Sequence, residues 1–126
     1  FMIDQGWQHT GMTRLVVTES MHVRKERMAE LSDACIALPG GVGTLEELLE
    51  IITWKQLGLY MKPIVVLNTQ DYFSPLLRQL EQAVEQQFMS RLHATLWQVA
   101  ATPEEALRLA VETPPLQEPI RKFAAL

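Results

Sequence analysis

Three glycines, a threonine and two adjacent glutamates share the stretch PGGVGTLEE: Gly40, Gly41 and Gly43 run ahead of Thr44, Glu46 and Glu47. Backbone amides at a glycine turn that opens a helix attract phosphate, and the Thr44 hydroxyl is a further donor. Glycines also allow positive φ and a close approach of ligand to backbone, both expected here. Carboxylates beside such a cradle repel an anion unless they attend to another part of the same ligand. A nucleoside monophosphate has that second part. Cleaving its N-glycosidic bond passes through an oxocarbenium-like ribose, which a nearby carboxylate stabilises while orienting water.

Two plainer readings stand beside this one. The turn suits a tight structural connection, and Thr44-x-x-Glu47 has the form of a capping box, in which the threonine caps the Glu47 amide and Glu47 reaches back. The chain carries its own control in TPEE, residues 102–105, where the same T-x-E-E shape follows no glycine turn. The shape alone therefore says only that a helix begins. What sets Glu46 and Glu47 apart is the turn before them and the cations Arg24 and Lys25 in ESMHVRK. If the strands before them are neighbours, a parallel sheet carries both loops to one rim, outside the carboxyl ends of its strands.

GGVGT is neither a Walker A loop nor a dinucleotide fingerprint, since it lacks the trailing Lys-Ser/Thr and the G-x-G-x-x-G spacing. His22 lies beside the expected site but reads more simply as a surface residue. His9 and His93 are isolated, and no His/Cys/carboxylate spacing suggests a metal, so no metal or cofactor is expected. Cys35 reads as a small buried hydrophobe. Thr53 either faces a ligand or back-bonds within its helix. Trp54, Tyr60, Met21 and Met28 suit core packing as well as a base pocket.

The elements that must position these groups follow from pattern. Apolar runs at residues 15–18, 35–38, 64–67 and 96–100 read as strands, the middle two covered on both faces. Helices are expected over most of residues 23–34; from Leu45, with Leu48, Leu49 and Ile52 inward and Gly58 as the stop; and from Ser74 as N-cap with Pro75 first. Leu76, Leu77, Leu80, Val84 and Phe88 form the buried face of that third helix. A last helix spans 103–112, capped by Thr102, before the prolines of TPPLQEP; the tail IRKFAAL docks or frays. Strand-helix alternation gives an α/β class, a Rossmann-like three-layer domain with a parallel sheet and right-handed crossovers. All 126 residues are read as one domain, the C-terminal part of a longer, N-terminally truncated one.

The 48% hydrophobic and 21% charged composition is that of a globular chain, and the net charge of -4 opposes sequence-independent nucleic-acid binding. No membrane span is expected. A single cysteine and the lack of a charged-then-apolar opening segment make the cytoplasm the expected setting.

The stretch from Ser20 to Asn68 closely resembles the signature region of the Lonely Guy family, the cytokinin riboside 5′-monophosphate phosphoribohydrolases. Its M-x-x-R-K element stands at Met21 to Lys25 and its P-G-G-x-G-T-x-E-E element at Pro39 to Glu47. The resemblance covers most of residues 11–68 and runs more weakly through DYFSPLLRQLEQAVEQQF. It implies a Rossmann-like enzyme, a homodimer or higher homo-oligomer, that takes N6-substituted adenosine 5′-monophosphates to free base and ribose 5-phosphate. It implies Arg24 and Glu47 as the catalytic pair. Lys25, Gly40, Gly41, Val42, Gly43, Thr44, Leu45, Glu46 and Thr53 then contact substrate, as Arg24 does. Family members have often been labelled lysine decarboxylases, but no lysine here sits in a recognisable pyridoxal-phosphate setting. An earlier glycine-rich turn of the family, G-G-G-x-x-G-L-M, does not occur in this sequence. The alternative is a non-catalytic module of the same superfamily that binds nucleotide or molybdenum cofactor.

Overall fold

The computed structural model describes residues 21–118. The strand expected at residues 15–18 and the tail at 120–126 lie outside them. The chain divides into two compact units, Phe1–Leu31 and Ser32–Leu126. In the first, helix α1 spans Met21–Leu31 and carries Arg24 and Lys25, both half-buried.

The second unit is α/β. Strands β1 (Cys35–Ala37), β2 (Ile64–Leu67) and β3 (Gln98–Ala100) form a parallel sheet in the order β1-β2-β3. Cys35 pairs with Ile64 and Val65 with Gln98, and the Asn68 amide extends the ladder to the Ala100 carbonyl at 2.7 Å. Continuous apolar sequence marks a strand covered on both faces, and β2 is buried at all four positions. Its alternate residues serve two layers. Val65 and Leu67 pack with Ala100 and with Ala106, Leu109 and Ala110 of helix α4 (Pro103–Glu112), which crosses all three strands. Ile64 and Val66 face the other way and are equally buried, with Leu48, Ile52, Tyr60, Phe73, Val84 and Leu96 completing the core. Tyr60 is thus a core residue, whereas Met28 is exposed.

Helix α2 runs from Val42 to Gln56, so it starts ahead of the expected Leu45. It closes as its glycine suggests: Gly58 takes φ 83°, its amide bonds the Lys55 carbonyl at 3.1 Å, and the Leu59 amide bonds that of Trp54 at 2.8 Å. Lys55 lies buried in this last turn, and desolvation pushes its ammonium pKa down.

Helix α3, Ser74–Glu85, includes Ser74 as its first residue, with Phe73 as N-cap rather than Ser74. The Ser74 hydroxyl is instead within 3.1 Å of the Asn68 side-chain amide, which donates to it. Val84 is buried and Leu76, Leu77 and Leu80 half-buried, but Phe88 is 73% exposed, against expectation. The cause is the end of the helix. Gln87 takes φ 69°, and the amides of Gln87 and Phe88 bond the Val84 and Ala83 carbonyls, so the chain turns before the helical repeat reaches Phe88. A 3-10 turn at Arg91–Thr95, capped by Ser90, leads into β3, which begins at Gln98 rather than Leu96.

Candidate functional site

The loop from β1 to α2 is Leu38 to Gly41. The first helical bond of α2 runs from the Leu45 amide to the Gly41 carbonyl at 3.1 Å, with Gly41 as an N-cap lacking any side-chain cap. The amides of Val42, Gly43 and Thr44 are left without an intrahelical acceptor, at the positive end of a fifteen-residue helix. This start corrects two expectations. Thr44 is the third helical residue, not the cap, so no Thr44–Glu47 capping box forms. The helix begins early because its capping position is filled by glycine backbone.

The glycines also serve a different purpose from the one expected. Among the described glycines only Gly58 has positive φ. Gly40 is required for space: a Cβ there would lie 2.2 Å from the Thr44 hydroxyl oxygen, which folds back over it. Gly41 and Gly43 face open space, where an added Cβ would meet nothing within 4 Å. The helix end is therefore open on the side of Gly41, Val42 and Gly43, all exposed.

No acidic residue falls in the first turn of α2. Glu46 and Glu47 come in the second turn, about 6 to 8 Å along the axis from Val42. Both are exposed. The opposing charges are thus spaced rather than superposed. Glu47 is near enough to the first residue of β1 that its charge adds to the main effect of burial in pushing the Cys35 thiol pKa up. Such a thiol is a poor nucleophile.

The loop after β2 meets this turn. The Tyr72 phenol donates to the Gly40 carbonyl, joining the loops that leave two adjacent parallel strands at their carboxyl ends. Asn68 builds that loop: its side-chain oxygen accepts from the Phe73 amide at 2.6 Å, and its carbonyl accepts from the Asp71 amide at 3.2 Å. Sequence reasoning missed Tyr72 and Asn68. An asparagine directly after a buried strand was the available signal, because its side chain organises turns.

Thr53 is exposed, and its hydroxyl donates back to the Leu49 carbonyl at 2.8 Å, the plainer of its two readings. It also borders a cleft of about 220 Å³ with Leu49, Ile52, Gln56, Leu80, Phe88, Met89 and His93. His93 is 1% exposed, its Nδ1 accepts from the Ser90 amide at 3.3 Å, and its Nε2 has no partner among the described residues. Burial pushes its pKa down. Arg24 and Lys25 stand in the first turns of α1, in the other unit. Among the described residues no group of three His, Cys, Asp or Glu side chains could hold a metal, and no helix is long and apolar enough to cross a membrane.

Comparison with known proteins gives this geometry a family. The model of the family described as "possible lysine decarboxylase" matches residues 1–110. A cytokinin riboside 5′-monophosphate phosphoribohydrolase of Rhodococcoides fascians is 54% identical over 82 residues, 65% of this chain and 41% of the relative. Two proteins of that name from Arabidopsis thaliana are 48% identical over 98 residues (78% of this chain, 46% of the relative) and 59% over 70 residues (56% and 33%). The chain thus matches less than half the length of these relatives. The extent of the family match and these identities show that the chain belongs to the family described as possible lysine decarboxylase, on its Lonely Guy side.

Proposed function

We propose that the chain hydrolyses the N-glycosidic bond of cytokinin riboside 5′-monophosphates, or of AMP, to free base and ribose 5-phosphate. The observation that carries this reading is the start of α2, where uncapped amides at an open helix end precede the exposed carboxylates of Glu46 and Glu47 by one turn. A nucleoside monophosphate has matching parts in that order. The family relationship points the same way, since the relatives bear the name of this activity.

In this reading the phosphate binds the amides of Gly41, Val42 and Gly43 and the Thr44 hydroxyl, with Lys25 adding positive charge. The sugar then lies against Glu46 and Glu47. Glu47 stabilises the positive charge growing on the ribose and orients water, whose oxygen bonds to C1′ as the bond from C1′ to the base breaks. The bonding electrons leave with the base, which takes up a proton. Arg24, the second member of the catalytic pair, donates to substrate oxygens. Gly40 and Leu45 complete the turn, and Thr53 contacts substrate further along α2. Both compact units belong to one Rossmann-like nucleotide-binding domain in this reading. A homodimer or higher homo-oligomer in the cytoplasm goes with it, supported by the family resemblance and the single cysteine.

The test incubates the protein with isopentenyladenosine monophosphate, AMP and the unphosphorylated nucleoside, and follows free base. Release from the nucleotides but not the nucleoside is expected. Folded protein that binds nucleotide without releasing base would overturn the reading in favour of a binding module.

A further inference from the structure

We propose that Tyr72 is a positioning residue for the phosphate end of the substrate, acting by fixing the peptide between Gly40 and Gly41. The inference rests on reading the glycine turn as a phosphate cradle. The Gly40 carbonyl and the Gly41 amide belong to one planar trans peptide and point in opposite directions. A peptide flanked by two glycines flips more readily than any other, because neither neighbour has a Cβ to resist the change in ψ and φ. A flip at this place exchanges an amide proton for a carbonyl oxygen beside the uncapped amides of Val42 and Gly43, and turns an anion-attracting end into a repelling one. The Tyr72 phenol holds the Gly40 carbonyl and so sets the direction of the Gly41 amide. Accepting a hydrogen bond at the carbonyl also polarises the same peptide and strengthens its amide as a donor.

The loop that carries Tyr72 is built for placement. Its ring stands edge-on to Phe73, at 5.2 Å between centroids and 82° between planes, and Phe73 is 1% exposed. Asn68 fixes the Phe73 amide, and the Tyr72 amide bonds the Thr69 carbonyl at 3.0 Å. Two successive non-glycine residues, Gln70 at φ 52° and Asp71 at φ 59°, hold left-handed backbone to bring the chain round. Such strain persists where surrounding structure enforces it, and it gathers at ligand sites. Tyr72 itself is 50% exposed, so burial alone does not account for where its hydroxyl goes.

The test is Tyr72→Phe, which keeps the ring and its contact with Phe73 and removes only the hydroxyl. Three quantities are read: KM and kcat for isopentenyladenosine monophosphate, the Kd of ribose 5-phosphate by calorimetry, and the Kd of free adenine. We expect KM and the ribose 5-phosphate Kd to rise about three- to tenfold, the scale of one hydrogen bond. The adenine Kd, kcat and Tm stay as in the wild type. An unchanged ribose 5-phosphate Kd overturns the inference, as does an equal loss for adenine or a wild-type protein that binds no ribose 5-phosphate. If the wild type binds ribose 5-phosphate but releases no base, and the variant binds it more weakly, the proposed hydrolysis falls while the role of Tyr72 stands.

Discussion

Two helices of this protein begin near the same four-letter pattern and use it in opposite ways. At α4, Thr102 is the N-cap: its hydroxyl accepts from the Glu105 amide at 3.1 Å, while Glu105 accepts from the Ala101 amide at 2.8 Å. Both side chains are occupied in starting the helix. The turn before β3 does likewise, with Ser90 capping the Leu92 amide and His93 accepting from Ser90. At α2 glycine backbone takes the capping position, and Thr44, Glu46 and Glu47 all fall inside the helix. A capping side chain closes an anion-binding end and consumes a carboxylate; a glycine start leaves both available.

The largest effect that separates the two starts is on turnover. Glu47→Gln is expected to lower kcat by about a hundred- to ten-thousand-fold with little change in Tm, since the side chain is exposed and supports no cap. Glu105→Gln leaves kcat intact. Unchanged turnover in Glu47→Gln would erase the distinction. Gly40→Ala comes next: its Cβ collides with Thr44, so both Tm and substrate affinity fall, by about 1–3 kcal/mol in stability. Adding Thr44→Ala removes the hydroxyl from the collision but leaves a Cβ 3.0 Å away, so it recovers part of the Tm, whereas Gly41→Ala, facing open space, leaves Tm near that of the wild type.

A third measurement uses acid. Burial lowers the His93 pKa in the folded state below its ordinary 6.5, so the unfolded chain takes up the proton first as pH falls. The stability associated with neutral His93 is present above pH 6.5 and declines below it, by at most about 1.4 kcal/mol per pH unit. The Tm of His93→Gln is expected to depend less on pH as the pH falls through and below that ordinary value. An equal slope in the two proteins sinks this assignment. The smallest effect of the four is Thr102→Ala, which costs about 1 kcal/mol of stability with no change in KM. Thr44→Ala alone shows the reverse, weaker phosphate affinity with little loss of Tm.

β2 was legible because burial on both faces writes itself as uninterrupted apolar sequence, and IVVL is that strand to the residue; β3, with Gln98 half-buried and Val99 exposed, was read as starting two residues early. Thr102 and Pro103 likewise announced α4. The start of α2 was misread because Thr44-x-x-Glu47 satisfies the local rule for a capping box. What overrides that rule is the earlier start of the helix on Gly41 backbone, which places Thr44 inside the helix with its side chain against Gly40. Phe88 fitted the helical repeat, but the left-handed Gln87 takes the chain off the helix first. Tyr72 was invisible for a simpler reason: its partner lies 32 residues earlier, and only the pairing of β1 with β2 brings them together.

The closing turns of α2 and α3 differ by one residue, and that residue bears on how freely the protein can change. Both helices end through left-handed backbone, on Gly58 in one and Gln87 in the other. A side chain in that conformation carries strain of about 1 kcal/mol that glycine avoids. Gln87 therefore marks a reserve of stability not yet taken up. Gln87→Gly draws on it away from the glycine turn, and a lineage with that change tolerates destabilising substitutions around the turn that the present sequence does not.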